Sequence, residues 1–432
     1  MASPQALRGT SDLLVGDLVR WEAVERTTRA LARRYGYQEI RTPVIEDASL
    51  FLRSIGETST IVQKEMFAFQ DRGERTIVLR PEGTAAVVRA YLEHNLHKTQ
   101  GFAKLFYLGP MFRAERPQHG RFRQFHQFGV EAIGSSSPWL DAEVIALSVE
   151  MLKACGLSDL TVGLSSMGCR KDQARSAEQL RARLTPHRGK LCKDCQSRFD
   201  KNIFRVLDCK HPACHQLAWE TKGSPFLLCK DCQQHFDQVR QALRAAGIAF
   251  DDTAVFARGL DYYTRTVFEI RSGALGAQDA VAAGGRYDHL IEELGGPSMG
   301  AIGFAAGIER LLMATADGAG AEDSSSRSGV YVAVADPALL GQVFPIVQRL
   351  RERGVAASVD YEGRSLKAQL READRVRCQC VAILGEQELK DQTITVKDLE
   401  QGSQRTLALD AFLDEAGQTL KASCRHHSVK AG

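Results

Sequence analysis

The chain has 432 residues, with 56 basic and 53 acidic side chains and a formal net charge of +3. Hydrophobic residues make up 44% and charged residues 25%, which is ordinary for a globular protein and excludes a wholly disordered or fibrous chain. At about 150 residues per domain, this length predicts roughly two to four domains.

The apolar runs and the cysteine content indicate in which cellular compartment the protein is expected. No apolar run reaches the roughly 18 residues that a transmembrane helix needs, so we expect no membrane partner. The opening residues lack a basic region followed by an apolar stretch, so we expect no secretory signal. The 11 cysteines are too few for a disulfide scaffold of this size. These features favour a cytoplasmic protein, in which clustered cysteines bind metal or remain thiols.

The first third of the chain predicts mixed helix and strand. Apolar residues at helical spacing predict a helix from Asp17 to Tyr35. A strand is expected at Thr76–Arg80, which stops before Pro81, and Ala85–His94 then has a helical pattern. Two further strands, Leu105–Leu108 and Phe125–Ile133, follow without an intervening helix, which predicts an antiparallel pair.

The composition changes twice farther along. Six of the 11 cysteines lie between Cys192 and Cys232 among basic, helical segments, which indicates an inserted domain. The stretch from 314 to 329 lacks bulky apolar residues and predicts a linker. Strands and helices then alternate from Val330 onward, which is typical of a small α/β domain. The expected divisions are 1–167 and 251–313 for two parts of one domain, 168–250 for the insertion, 314–329 for the linker and 330–424 for the last domain.

One strand face combines several polar groups. Because strand side chains alternate between faces, Phe125, Gln127, Gly129 and Glu131 share one side. That side offers an aromatic ring, an amide and a carboxylate, although an exposed face of an edge strand would explain the same pattern. The preceding loop contains Arg116, Gln118, Arg121 and Arg123, whose guanidinium groups suit phosphate, or form a solvated hairpin. No Walker A loop and no GxGxxG fingerprint occur in the sequence.

Several segments together are more specific than any one of them. They are Arg80–Thr84, Phe106–Arg113, Phe125–Glu131, Arg258–Tyr263, Gly284–Asp288 and Gly303–Arg310. Over nearly its full length the sequence resembles the histidyl-tRNA synthetases. Phe106–Glu131 resembles the class II motif 2, and Gly303–Arg310 resembles motif 3. A weaker motif 1 is expected around Ile40–Val44. Ala114 departs from the family pattern, where a larger residue is expected.

The resemblance implies an α+β fold: an antiparallel-sheet catalytic domain with an inserted, mainly helical domain, followed by a C-terminal α/β anticodon-binding domain. It implies ATP-dependent ligation of L-histidine to tRNA(His) through a histidyl-adenylate intermediate, with Mg²⁺ beside the ATP. The implied assembly is a homodimer built on the catalytic domains.

The resemblance also implies residue roles. Arg113 and Arg258 would be catalytic, acting on the α-phosphate and on the attacking carboxylate. Histidine would be held by Glu82, Gly83, Thr84, Arg113, Gln127, Glu131, Arg258, Tyr262, Tyr263 and Tyr287. ATP would be held by Arg113, Glu115, Arg121, Phe125 and Arg310.

The cysteines of the insertion predict a possible zinc site. The two CxxC pairs, Cys192 with Cys195 and Cys229 with Cys232, could supply four thiolates to a tetrahedral Zn²⁺. Cys209, His211, Cys214 and His215 offer further ligands. The alternative is a set of reduced thiols left from an ancestral site.

A basic segment and two alternative functions remain. The basic residues Arg364, Lys367, Arg371 and Arg375 lie in or beside a C-terminal helix, which suits RNA phosphates or a solvated face.

A regulatory paralogue that binds histidine without charging tRNA is opposed by the intact segment Arg258–Tyr263 and by the C-terminal domain. A zinc-containing nucleic-acid-binding protein would leave the ATP-site arginines unexplained.

Overall fold

The computed structural model describes residues 3–56, 59–118, 120–207, 209, 211–219, 225–253, 262–275, 280–315 and 327–420. The chain divides into two compact units, residues 1–322 and 323–432. Throughout these described ranges, no helix combines the length and the apolar character needed to cross a bilayer.

The first unit is built on a large, mainly antiparallel sheet. Its strands are β1 Gln38–Glu39, β2 Ile45–Asp47, β3 Phe67–Gln70, β4 Thr76–Leu79, β5 Ala103–Phe112, β6 Gln124–Ile133, β7 Leu160–Ser166, β8 Phe250–Asp251, β9 Thr264–Ser272, β10 Ala280–Arg286 and β11 Ala301–Gly307. Within the described residues, eight of these strands form the order β1-β5-β6-β11-β10-β9-β7-β8, and a small sheet has the order β2-β4-β3. β1 and β8 pair in parallel with their neighbours, and the other pairings are antiparallel. The predicted antiparallel pair β5–β6 is confirmed.

Helices cover both faces of the large sheet. They are α1 Val15–Arg34, α2 Ala48–Ile55, α3 Thr84–Glu93, α4 Leu96–Thr99, α5 Pro138–Ala154, α6 Arg170–Leu184, α7 Lys193–Arg198, α8 Pro212–Trp219, α9 Lys230–Ala245, α10 Leu290–Glu293 and α11 Ile308–Ala314. The predicted helices at the start of the chain and after β4 are thus confirmed as α1 and α3.

Alternation along β6 separates two cores. Phe128 and Val130 point to one side, where they pack with apolar residues of α1, α5 and α9. The neighbouring strand β5 presents Tyr107 and Met111 to the opposite side, in a second core shared with α3 and the insertion. The sheet is therefore apolar on both faces, and polar side chains on the second side are enclosed by protein.

A buried arginine fixes the chain between β4 and α3. The Arg80 guanidinium donates to the carbonyl oxygen of Pro110 at 2.9 Å and to that of Thr42 at 3.0 Å. Burial lowers the pKa of Arg80, but its hydrogen bonds join three separate segments. This clamp sets the position of residues 81–84, which lead into α3.

The second unit is a separate α/β layer structure. It contains β12 Val330–Val334, α12 Leu340–Glu352, β13 Ala357–Val359, α13 Leu366–Arg375, β14 Cys380–Leu384, α14 Glu386–Asp391, β15 Thr393–Asp398, β16 Gln404–Ala408 and α15 Leu409–Thr419. The sheet order is β13-β12-β14-β15-β16, with the first three strands parallel and the last two antiparallel. The expected α+β class is confirmed; β16 and α15 had not been predicted.

Candidate functional site

Two adjoining cavities open on the second side of the large sheet. The smaller has a volume of about 270 Å³ and the larger about 610 Å³. Ile61, Arg113, Gln127, Ala283 and Ala305 line both cavities. A ligand that fills one cavity can therefore reach a ligand in the other.

Strand β6 borders both cavities with the face on which alternation had placed Phe125 and Gln127. Phe125 lines the larger cavity, and Gln127 lines both. Glu131 lies on the same face but is buried, and it is not among the residues that line either cavity. Gly129 lies between them because a Cβ there would be 2.3 Å from the Tyr107 ring, which occupies that space. The predicted common face is therefore present, and its centre is filled by an aromatic ring from β5.

Glu131 is a buried carboxyl with two fixed donors. Its Oε1 accepts from the Thr84 hydroxyl at 2.7 Å, and its Oε2 accepts from the Tyr287 hydroxyl at 2.5 Å. Burial, together with the charge of nearby Glu82, raises the pKa of Glu131 to about 8 in spite of these bonds. The two oxygens of this carboxyl thus hold the hydroxyls of two residues that line the smaller cavity.

Gly303 on β11 leaves the room that Glu131 needs. A Cβ at this position would lie 1.9 Å from Glu131 Oε2 and 2.5 Å from the Val130 carbonyl oxygen. Since the carbonyl belongs to a paired strand, it cannot move aside. The glycine is required by close packing in the sheet.

The segment before α3 supplies a second buried carboxyl. Glu82 accepts from the backbone N–H of Thr84 at 2.6 Å and of Ala85 at 2.9 Å, which holds the carboxyl over the start of the helix. Burial nevertheless raises the pKa of Glu82. Arg113 donates from Nε to the carbonyl oxygen of Pro81 at 3.1 Å, which joins this segment to the end of β5.

Aromatic side chains enclose the smaller cavity. The Tyr262 ring packs edge-on against Tyr263 at 4.9 Å and against Tyr287 at 5.8 Å. All three residues are buried. Gln127 Oε1 is also buried, and no residue within the described part of the chain hydrogen-bonds to it. The cavity therefore offers aromatic walls and an available acceptor, which suits a planar polar ligand.

The larger cavity carries cations and an aromatic face. The Arg113 guanidinium lies 5.2 Å from the centre of the Phe125 ring. Arg121 donates to Glu115 at 3.0 Å, and Arg310 donates to the carbonyl oxygen of Ala280 at 2.9 Å. All five of these expected ATP-site side chains line this one cavity. The cavity therefore combines an aromatic face with guanidinium groups, which suit stacking and phosphate binding.

The structure places Glu82, Thr84, Arg113, Gln127, Tyr262, Tyr263 and Tyr287 on the wall of the smaller cavity. Gly83 makes room there, because a Cβ would be 2.4 Å from the Tyr107 ring. Arg258 lies outside the described residues.

Behind Tyr287, a buried ion network joins three elements. Arg286 on β10 pairs with Asp141 on α5 at 3.0 Å and with Asp288 at 2.8 Å. The second oxygen of Asp141 lies 2.8 Å from His235 Nε2 on α9. This network fixes the backbone beside Tyr287 and was not anticipated from the sequence.

The insertion cysteines form two groups, which corrects the expected set of Cys192, Cys195, Cys229 and Cys232. One group is Cys192, Cys195, Cys209 and Cys214, and the other is Cys169, Asp172, Cys229 and Cys232. The two CxxC pairs each begin a different helix, α7 and α9, and so each pair finds partners near its own helix. The two CxxC pairs therefore do not form one shared site.

Sequence reasoning missed several residues of the cavity walls. Tyr107 lines the smaller cavity, and Glu65 and Arg205 line the larger. Tyr107 could have been found from its pairing with Gly129 across β5–β6, since a large side chain opposite a glycine fills the face above it. Glu65 and Arg205 come from distant segments, and no local pattern identifies them.

Two family models match the chain. The model described as histidyl-tRNA synthetase matches residues 9–188 and 224–311, and leaves 189–223 unmatched. The model described as anticodon binding domain matches residues 329–419.

Individual relatives agree with these matches. A histidine–tRNA ligase of Desulfitobacterium hafniense is 46% identical over 411 residues, covering 94% of this chain and 96% of the relative. That of Bacillus cytotoxicus is 44% identical over 423 residues, covering 97% and 100%. The crystal structure of apo histidyl-tRNA synthetase from S. aureus has a TM-score of 0.79 at 34% identity, covering 96% of this chain and all of that one.

Proposed function

Because this chain belongs to the histidyl-tRNA synthetase family, whose members are class II aminoacyl-tRNA synthetases, we propose that its two cavities divide the ATP-dependent charging of tRNA between them. The enzyme ligates L-histidine to its tRNA through a histidyl adenylate. In the proposal, the smaller cavity binds histidine and the larger binds ATP. The observation that carries this assignment is the buried Glu131 carboxyl, which accepts from the hydroxyls of two residues on the wall of the smaller cavity, Thr84 and Tyr287.

The smaller cavity suits an imidazole. Such a ring presents a donor and an acceptor at fixed geometry, so the carboxyl of Glu131 and the hydroxyl of Tyr263 would bind one nitrogen each. Glu82, Thr84 and Gln127 would hold the α-amino group; Gln127 offers the available buried acceptor. Tyr262 and Tyr287 would close the pocket around the ring.

The larger cavity suits the nucleotide. Adenine would stack between Phe125 and Arg310, and Arg121 would meet the outer phosphates with support from Glu115. Arg113 lines both cavities, so it would hold the α-phosphate next to the histidine carboxylate. Arg258 would stabilise the same charge as the carboxylate attacks the phosphorus and pyrophosphate leaves.

The wall of this cavity also fits a magnesium ion. Mg²⁺ prefers oxygen ligands, and the carboxylates of Glu65 and Glu115 lie on the wall. Burial raises the pKa of Glu65, and a bound cation would favour its ionised form. We propose that these two groups hold the ion, which would neutralise phosphate charge when it is bound.

The second unit would bind the anticodon region of tRNA(His). Arg364, just before α13, pairs with Asp360 at 2.5 Å, and Arg375, at the end of α13, pairs with Glu372 at 2.6 Å. The other two exposed cations in this basic segment are Lys367 and Arg371, and we propose that these meet RNA phosphates. Replacing both by Ala should raise the KM for tRNA and leave histidine-dependent pyrophosphate exchange unchanged.

The remaining proposals concern domains, assembly and location. We propose a catalytic domain formed by 1–167 and 251–313, an insertion at 168–250, a linker at 314–329 and an anticodon-binding domain at 330–424. We also propose a homodimer formed by the catalytic domains, with a contribution from the motif 1 region. The proposed location is the cytoplasm.

ATP–pyrophosphate exchange tests the assignment of the cavities. Wild type should exchange pyrophosphate only when histidine is present. Glu131→Ala should raise the KM for histidine with little effect on that for ATP, whereas Phe125→Ala should do the opposite. If both variants changed the KM values for histidine and ATP equally, the assignment of one cavity to each substrate would be overturned.

A further inference from the structure

The four cysteines Cys192, Cys195, Cys209 and Cys214 have the arrangement of a tetrahedral thiolate site. Their sulfur atoms all lie within 4.8 Å of one another, and those of Cys192 and Cys209 are 3.8 Å apart. Four sulfurs at about 2.3 Å from a central Zn²⁺ would be about 3.8 Å apart. The Cys192–Cys209 distance matches this value, and all four sulfurs lie close enough together to surround one ion.

Backbone donors already point at these sulfurs. The N–H of Cys192 donates to the sulfur of Cys214 at 3.1 Å, and the N–H of His211 donates to that of Cys209 at 3.4 Å. Such bonds stabilise thiolate ligands and orient them. Cys195 and Cys214 are buried, while Cys192 and Cys209 are half-buried, so the group has a protected interior and an accessible side.

The second group differs in its carboxylate. Asp172 accepts from the backbone N–H of Cys229 at 3.0 Å and of Cys169 at 3.4 Å. Its two oxygens thereby link the N-termini of α9 and α6. Hydrogen bonding between these two helices is enough to explain the second group. Three cysteines without a fourth thiolate are also a poorer match to structural zinc sites. The first group is the one that fits the metal.

The chain between these cysteines reaches the larger cavity. Arg205 is buried and lines that cavity, within a short 3₁₀ turn at Ile203–Val206. The turn packs in one core with Cys195 and Cys214. Arg198 donates to the Thr60 hydroxyl at 3.3 Å, and Thr60 also lines the cavity. The cysteine group thus supports a segment that forms part of the cavity wall.

We propose that Cys192, Cys195, Cys209 and Cys214 bind one Zn²⁺, and that this ion holds Arg205 in place to bind the phosphates of the nucleotide. The role of Arg205 rests on the proposed assignment of the larger cavity to ATP. A guanidinium that is kept buried by a rigid support pairs well with phosphate oxygens. All these residues fall in the stretch 189–223 that the synthetase family model leaves unmatched, so the proposed site lies outside the residues that this model matches.

Metal analysis tests whether the four cysteines bind zinc. The purified full chain should contain about one zinc, Cys209→Ser should lose it, and the matched variant Cys169→Ser from the other group should keep it. Cobalt-substituted wild type should show sulfur-to-metal charge-transfer absorption, which does not depend on any variant folding. A metal-free wild type with no cobalt spectrum, or zinc loss in Cys169→Ser alone, would overturn the site.

Kinetics test the second half. Arg205→Ala should raise the KM for ATP in pyrophosphate exchange by roughly tenfold or more, with zinc content and the KM for histidine unchanged. Arg205→Lys should recover part of the loss. Cys209→Ser should raise the KM for ATP as well, whereas Cys169→Ser should not. If wild type is active and Arg205→Ala keeps the wild-type KM for ATP, the role of Arg205 fails while the function stands.

Discussion

Replacing Glu131 by Gln should change the pH dependence of histidine binding. Burial, the main cause, raises the pKa of Glu131 to about 8 in the protein without ligand. The imidazole of free histidine has a pKa of roughly 6.5. Between these values the carboxyl carries a proton and the imidazole is neutral. The pair can then share that proton on binding, with no net uptake or release.

The pH dependence of histidine affinity follows from this count of protons, with an acid limb below the imidazole pKa and an alkaline limb above that of Glu131. Below the imidazole pKa, ligand and carboxyl are both protonated, so binding must release one proton. Above about pH 8 both are deprotonated, so binding must take one up. Affinity should therefore be constant between the two values and fall about tenfold per pH unit outside them.

The side-chain amide of the Glu131→Gln variant does not titrate, so it cannot supply a proton to the ligand. The alkaline limb that belongs to Glu131 should vanish, while the acid limb, which belongs to the ligand, should remain. On the plateau, loss of one charge-assisted hydrogen bond should weaken histidine binding by roughly ten- to a hundredfold. The amide keeps the volume of the carboxyl, so the pocket should stay filled.

Calorimetric titration of the enzyme with histidine from about pH 5.5 to about pH 9.5, a range that brackets both titrations, measures these effects. Repeating it in buffers with different ionisation enthalpies gives the number of protons exchanged. The difference between wild type and Glu131→Gln cancels the titration of the ligand α-amino group. If wild type binds without proton uptake at about pH 9, or if the variant keeps the same alkaline limb, Glu131 does not exchange a proton with the ligand.

Three further predictions use other parts of the molecule. Arg258→Ala should lower the rate of pyrophosphate exchange by roughly a hundredfold or more, because charge develops beside it, and Arg258→Lys should recover only part. Gly303→Ala should displace the Glu131 carboxyl, since the new Cβ would lie 1.9 Å from Oε2, and so raise the KM for histidine; Gly16→Ala, where nothing lies within 4 Å, is the matched control. Sedimentation should show a dimer, and charged substitutions within Ile40–Val44 should dissociate it; a fully active monomer at low concentration would refute this.

Much of the fold followed from local patterns. The alternation of Phe125 to Glu131 predicted which side chains share a face, because the period of a strand is two residues. Helix α1 was visible from its apolar spacing. The exposed strand β16 was not, because its burial pattern gives no alternating apolar signal. Its position is set by antiparallel pairing with β15 after a short turn.

The site was harder to predict, because its members meet only through the tertiary fold. The motif segments placed Glu82, Glu131 and Tyr287 in one pocket, and the structure brings the last two into contact. Nothing local could assign Cys209 and Cys214 as the partners of Cys192, since that choice depends on how the chain folds back after α7. Spacing within a CxxC pair identifies two ligands, and the packing of the insertion selects the others.

The rejection of wrong amino acids follows from the same burial that raises the pKa values of the pocket. Glu82 and Glu131 are carboxyls without access to water, and Gln127 holds a buried acceptor whose partner is the ligand in our proposal. An apolar side chain of similar size would fill the cavity but leave the Gln127 acceptor unpaired, at a cost of about 1–3 kcal/mol. Histidine avoids that cost by donating to it. The difference in binding free energy between histidine and an apolar amino acid should therefore exceed the free energy of the histidine contacts alone, because the apolar amino acid also leaves a buried polar group without a partner.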